Sequence, residues 1–238
     1  MGARTVPMTT VAIHQPQYLP WLPYCDKAAA ASVFVYLDTV DFQKGGVQNR
    51  NRIQTAHGPR WLTVPVHAHR GRAIRDTALA GERWRARHRE TLARAYARAP
   101  FRDRLAELDL ILARPFPDLA ALAIAATEWL FDQLGVTAKR VRASELAASG
   151  RKEELILSIC GALGATTYLS GPGARAYQDP ERFAARGIRL AYHAYRQPVY
   201  PQVNARAGFV PELSALDLVL NCGPDAARIL REGRVAAA

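Results

Sequence analysis

The stretch TTVAIHQPQYLPWLPYCDKAAAASVFVYLD, residues 9–38, decides the reading of the whole chain. Residues 9–13 are a short, β-branched run ended by His14-Gln15-Pro16. Pro16, Pro20 and Pro23 carry the chain through a turn, and the pattern then predicts a helix over residues 22–31. Residues 33–37 (VFVYL) are apolar without interruption, which marks a strand buried on both faces in a parallel sheet. Strand, helix and strand make a βαβ unit. His14 closes its first strand and Asp38 its second, and open α/β sheets bind ligands in the crevice beyond such strand ends. These two residues are therefore the expected catalytic pair. The imidazole would act as a general base, and the carboxylate would orient it or hold an amine.

Working outward, residues 41–51 are polar and contain Gly45-Gly46, a plausible hinge because glycine reaches backbone conformations that other residues avoid. With a turn at His57-Gly58-Pro59 and a strand over 61–66, this part reads as an antiparallel flap over the crevice. Trp84, His88, Leu92 and Tyr96 recur at helical spacing, as do Leu105, Leu108, Ile111 and Leu112. An apolar helix over 120–134, bounded by Pro117 and Gly135, completes a helical insertion at about 82–134. Strand character returns at 136–142, and Ser149 is placed to cap a helix over 151–163. A strand at 167–169 feeds the loop Ser170-Gly171-Pro172-Gly173, followed by a helix near 180–185 and a strand at 188–192. The expected fold is one α/β domain over 11–224, a Rossmann-like, mostly parallel sheet with the antiparallel flap and the helical insertion. Residues 1–10 are expected to be a flexible N-terminus, and 225–238 a C-terminal helix and tail.

Composition narrows the function classes. The chain has 238 residues, 49% of them hydrophobic, enough for a substantial core. No apolar run is long enough to cross a bilayer, and MGARTVPMTT lacks the apolar core of a signal peptide. Three dispersed cysteines argue against a disulfide framework and for a reducing, cytoplasmic setting. The net charge of +11 is carried mainly by arginine and is densest from Arg70 to Arg104, which holds eleven of them. That stretch is a solvated helix face or a dock for an acidic partner or phosphate; no nucleic-acid motif accompanies it. His67 and His69 have strand spacing but no acid or cysteine clusters beside them, so no metal site is expected.

The segments IHQPQYLPW (13–21), LDTVDFQK (37–44), QNRNRI (48–53), WLTVPV (61–66), YLSGPGARAYQD (168–179), YPQ (200–202) and LSALDLVLNCG (213–223), in this order, resemble the WbqC-like family. The likeness covers roughly residues 11–224 and departs from the family pattern at Pro23, usually Gly, and Cys25, usually aromatic. Members are associated with surface-polysaccharide and specialised-metabolite gene clusters. The resemblance therefore implies a cytoplasmic biosynthetic role and points to His14, Gln15, Tyr18, Asp38, Asn49 and Arg50.

From residue chemistry, Asn49 and Arg50 offer amide and guanidinium groups to an anionic ligand. Ser170 opens a Gly-rich loop whose backbone N–H groups suit an anion, and Tyr177 lies just downstream. Cys222 precedes Gly223-Pro224, and a thiol at a helix N-terminus is a candidate nucleophile. The expected function is a transferase moving an acyl group from a coenzyme A or phosphopantetheine thioester to an amine-bearing small molecule. The basic stretch would receive coenzyme A phosphates or an acidic acyl carrier protein. Such a reaction needs a base and a charge-stabilising donor but no further cofactor. Two alternatives stay open. Trp21–Tyr24 faintly resembles the start of nucleotidylyltransferases without their phosphate-gripping histidines, and a non-catalytic binding subunit is the other.

Overall fold

A computed structural model of the protein describes residues 8–205 and 208–235. Of the expected N-terminal stretch, residues 1–7 lie outside the described residues, as do 236–238 of the expected tail. The chain opens with β1 (Thr10–His14), α1 (Leu22–Ala29) and β2 (Val33–Tyr36), the βαβ unit read from the sequence. An antiparallel hairpin follows, β3 (Arg50–Thr55) and β4 (Gly58–Thr63). Then come α2 (Arg83–Ala95), α3 (Leu105–Leu112) and α4 (Leu119–Gln133), which is capped by the Asp118 carboxylate accepting from Ala121 N at 2.8 Å. The rest alternates: β5 (Lys139–Arg142), α5 (Glu153–Ala162), β6 (Thr167–Ser170), α6 (Pro180–Ala184), β7 (Arg189–Tyr192) and β8 (Ala194–Tyr195). Last are α7 (Ala215–Cys222), α8 (Ala226–Glu232) and β9 (Arg234–Val235), which pairs with β8.

The main sheet has five parallel strands in the order β5–β2–β1–β6–β7. In order of appearance this is 3-2-1-4-5, a Rossmann-like arrangement whose switch point falls between β1 and β6. Successive side chains alternate between faces, and the packing follows that alternation. Ala12, Phe34, Tyr36, Leu169 and Ala191 pack with α1, α4, α7 and α8 on one face. Val11, Ile13, Val35 and Tyr168 pack with Leu157, Ile159 and Phe183 of α5 and α6 on the other. Because β1 and β2 are covered on both sides, they need apolar residues at every position.

Several local expectations shift. Arg50 and Asn51 belong to β3 rather than to a loop, and Gly58 and Pro59 to β4, so the hairpin turns at Ala56-His57. The hairpin is docked: Ile53, Leu62 and Val64 are in the main core. Ser149 does not cap α5; its N–H donates to Ser158 Oγ at 3.1 Å, and Lys152 takes the cap position at φ +53°. The helix α7 was hidden in a segment read only for its family likeness. Ser214 caps it, accepting from Leu216 N at 3.2 Å.

Candidate functional site

The sheet opens at its switch point. Along β1, the carbonyls of Thr10 and His14 accept from Ser32 and Leu37 on the β2 side, whereas Thr9 accepts from Thr166 and Thr167 on the β6 side. Parity therefore turns the Ile13 carbonyl toward β6. The β1–β6 register ends at Ala12↔Leu169, while β1–β2 runs on to His14↔Tyr36 and β6–β7 to Ser170↔Tyr192. The two halves of the sheet thus part beyond Ala12 and Leu169. Lys27 of α1 fills the gap, its Nζ donating to Ile13 O at 2.9 Å.

The expected pair, His14 and Asp38, is not joined. Asp38 is fully buried and accepts from Arg142 Nε at 2.8 Å, Ser144 N at 3.0 Å and Ser144 Oγ at 2.7 Å. Its carboxylate braces the end of β2 against the turn after β5. His14 is half-buried beside Tyr24, ring centroids 4.6 Å apart, and its Nδ1 bonds Gln15 O at 3.2 Å. A carbonyl can only accept, so Nδ1 carries the proton and Nε2 is left as an acceptor. Burial, with the Lys27 charge, pulls the ring down to about 3. His14 therefore stays neutral and is a hydrogen-bond acceptor more than a base.

The other expected residues scatter. Gln15 accepts from Gln48 Nε2 at 2.8 Å, tying the 41–49 loop to the β1 turn. Arg50 holds the same loop through the carbonyls of Gly45 and Gly46 and stacks on Trp61 at 4.4 Å. Asn49 is buried and donates to Val64 O at 2.8 Å. Tyr18 is buried, its hydroxyl 3.1 Å from His88 Nδ1. Ser170 ends β6 but, by alternation with Leu169, projects from the opposite face to His14. Tyr177 is 75% exposed on the surface. Cys222 ends α7 and also caps the 3-10 turn Gly223–Asp225 that leads into α8, but burial with nearby Asp217 and Asp225 pushes its thiol up to about 11. An activated nucleophile is lowered, not raised, so this assignment is withdrawn.

A histidine–carboxylate pair does exist, built from other residues. His193, directly after β7, donates from Nε2 to Asp26 Oδ2 of α1 at 2.8 Å. Arg234 of β9 clasps the same carboxylate, NH2 to Oδ1 at 2.7 Å. Burial would raise the Asp26 pKa, but the hydrogen bonds from His193 and Arg234 outweigh it and hold the carboxyl below its ordinary range. With Nε2–H committed to Asp26, Nδ1 is the ring nitrogen left without a partner among the described residues. The ring stacks on Tyr195 at 6.0 Å, and the Tyr195 hydroxyl is fixed to Leu230 O, so the imidazole is oriented from two sides. His193 lines a cavity of about 390 Å³ on the α1 face of the sheet, with Ala30 and Leu169 as apolar wall and Arg231 and Arg234 as cations. A second cavity, about 420 Å³, is walled by Thr63, Trp84, Arg87 and His88. There both ring nitrogens of His88 are occupied, by Tyr18 Oη and Thr63 O, and burial lowers the ring to about 4. The first cavity has the free base, and we take it as the candidate site.

The model of the WbqC-like protein family matches residues 15–229. The chain belongs to the WbqC-like family. It is 33% identical over 232 residues to Rv1507c, an uncharacterized protein of Mycobacterium tuberculosis, covering 94% of this chain and 98% of that one. No solved structure matches it. Within this WbqC-like chain, Asp26, Lys27 and His193 fall inside the family match, and Arg231 and Arg234 just beyond it. Asp26 and Lys27 carried a signal: they are adjacent charges in an Ala-rich helix between two buried strands. His193 met the same criterion as His14, a histidine at a strand's C-terminal end. Arg234, which pairs across 208 positions, had none.

Among the described residues, no helix is long and apolar enough to cross a membrane.

Proposed function

We propose that this WbqC-like protein is a biosynthetic transferase that moves an acyl group from a thioester to the amine of a small molecule, with Asp26–His193 as its base. The observation that carries the reading is that pair, oriented by Arg234 and Tyr195 and lining a cavity. The amine nitrogen attacks the thioester carbon, and His193 Nδ1 takes the proton the nitrogen sheds. The C–S bond then breaks and the proton passes to the departing thiolate. Asp26 stabilises the imidazolium in between. Arg231 supplies a guanidinium for the developing oxyanion or for an acidic group of either substrate. Exposed Arg83, Arg87 and Arg89 on α2 suit an acidic carrier or the phosphates of coenzyme A.

The test is thiol release from acyl-coenzyme A thioesters across a panel of amino sugars and amino acids. Release should require the amine. His193→Asn and Asp26→Asn should each slow it by about a hundredfold or more, and the double variant little further, because the groups act as a unit. Undiminished release by folded His193→Asn, checked by its melting curve, refutes the assignment.

A further inference from the structure

We infer that the gap between β1 and β6 is a binding site for an anionic group, a carboxylate or phosphate of a ligand, recognised by Lys27. This assignment concerns binding only and stands whether or not the protein transfers acyl groups.

Lys27 is an amine buried without a counter-ion among the described residues. Lys27 is 4% exposed, and an ammonium carries three N–H donors. Among the described residues, one acceptor meets it, Ile13 O, and no carboxylate comes within ion-pair range. Its chain neighbour Asp26 is taken by His193 and Arg234. Proteins pair the charges they bury, because an unpaired ion in a low-dielectric interior is expensive. The missing counter-charge is an anion.

Two neighbours extend the site. Tyr24 lies three residues before Lys27 on α1, so the two share a helix face. Tyr24 is 1% exposed, and its hydroxyl is buried without a partner. Its ring rests on His14, whose Nε2 has no partner among the described residues. The Tyr24 hydroxyl is thus a second unpaired donor on the helix that carries Lys27, and His14 beside it carries no negative charge. The position is where an open α/β sheet receives its ligand, beyond the strand ends at the switch point. Burial draws the Lys27 amine down to about 7. An arriving anion would therefore draw a proton onto it, with Tyr24 and Asp26 of α1 and His14 of β1 as the facing titratable groups.

The probes are inorganic phosphate and acetate, each compared with chloride at matched ionic strength, by calorimetry and melting on the full chain. At least one should bind the wild type and raise its melting temperature. Which one does so distinguishes a phosphate ligand from a carboxylate. Lys27→Met should weaken that binding more than tenfold, while Arg228→Ala, an exposed arginine of α8 outside both sites, leaves it unchanged. If Lys27→Met does not fold, Lys27→Gln serves, and in the wild type the Lys27 Cε resonance should titrate at higher pH with the anion than without. The inference is overturned if neither ion binds the wild type, if the lysine variants bind as tightly as it does, or if Arg228→Ala alone abolishes binding.

Discussion

Replacing Lys27 by Met should stabilise the protein, and the gain should depend on pH in a calculable way. Burial takes the folded amine from 10.5 down to about 7. Below pH 7 both folded and unfolded chains hold the proton, and burying the charge costs about 5 kcal/mol, at about 1.4 kcal/mol per pH unit. Between pH 7 and 10.5 the unfolded chain holds a proton that the folded one lacks, so stability rises with pH across that window. By pH 9 the penalty is down to about 2 kcal/mol. Methionine removes the penalty but orphans the Ile13 carbonyl, a loss of about 1–3 kcal/mol. Lys27→Met should then be about 2–4 kcal/mol more stable than wild type at pH 6 and roughly equal to it at pH 9. Urea unfolding of both proteins at the two pH values, in buffers free of phosphate and carboxylate, measures the gap. Other titrating groups cancel in the difference. A gap that stays constant within about 1 kcal/mol would mean that folded Lys27 keeps its ordinary proton affinity, and the reasoning fails.

Three further outcomes follow from the same packing. Asp38→Asn removes the charge that Arg142 and Ser144 share; it should cost roughly 1–3 kcal/mol in unfolding experiments while turnover per folded molecule is kept. Cys222→Ser should leave thiol release unchanged, and wild-type Cys222, its thiol pushed up to about 11, should react slowly with a disulfide reagent at pH 8. Gly233 lies so close to the Tyr195 ring and the Arg196 carbonyl that an added Cβ must displace them. Gly233→Ala should lower stability by roughly 1–3 kcal/mol and, by shifting the ring stacked on His193, lower turnover beyond what unfolding explains.

The sheet was legible because its strands write their burial into local sequence. Val33–Tyr36 has no polar position, and both faces of β2 are covered. The helical insertion was legible for a related reason, since Trp84, His88 and Leu92 repeat every four residues on the one face of α2 that is buried. The site was legible in kind but not in membership. A histidine beside a carboxylate near strand ends does occur in the structure, yet sequence order favoured His14 and Asp38, which close neighbouring strands. The residues that pair in the candidate site come from a helix and from the link after β7, 167 residues away, and no local pattern encodes a contact of that span. The loop of residues 41–49 shows the opposite failure. Its glycines and polar residues suggested freedom, whereas Gln48 ties it to Gln15 across 33 positions and Arg50 folds back onto the Gly45 and Gly46 carbonyls, bonds that composition does not reveal.

The clasp of Arg234 on Asp26 gives the molecule an order of assembly. A ribosome releases the α1 carboxylate about two hundred residues before the guanidinium that completes it. Until then, a growing chain can lay down β1, α1 and β2 but has neither the second cation for Asp26 nor the β9 strand that walls the cavity. A nascent chain stalled short of residue 234 would therefore hold a formed sheet around an unfinished site, and competence would arrive in one late step of synthesis.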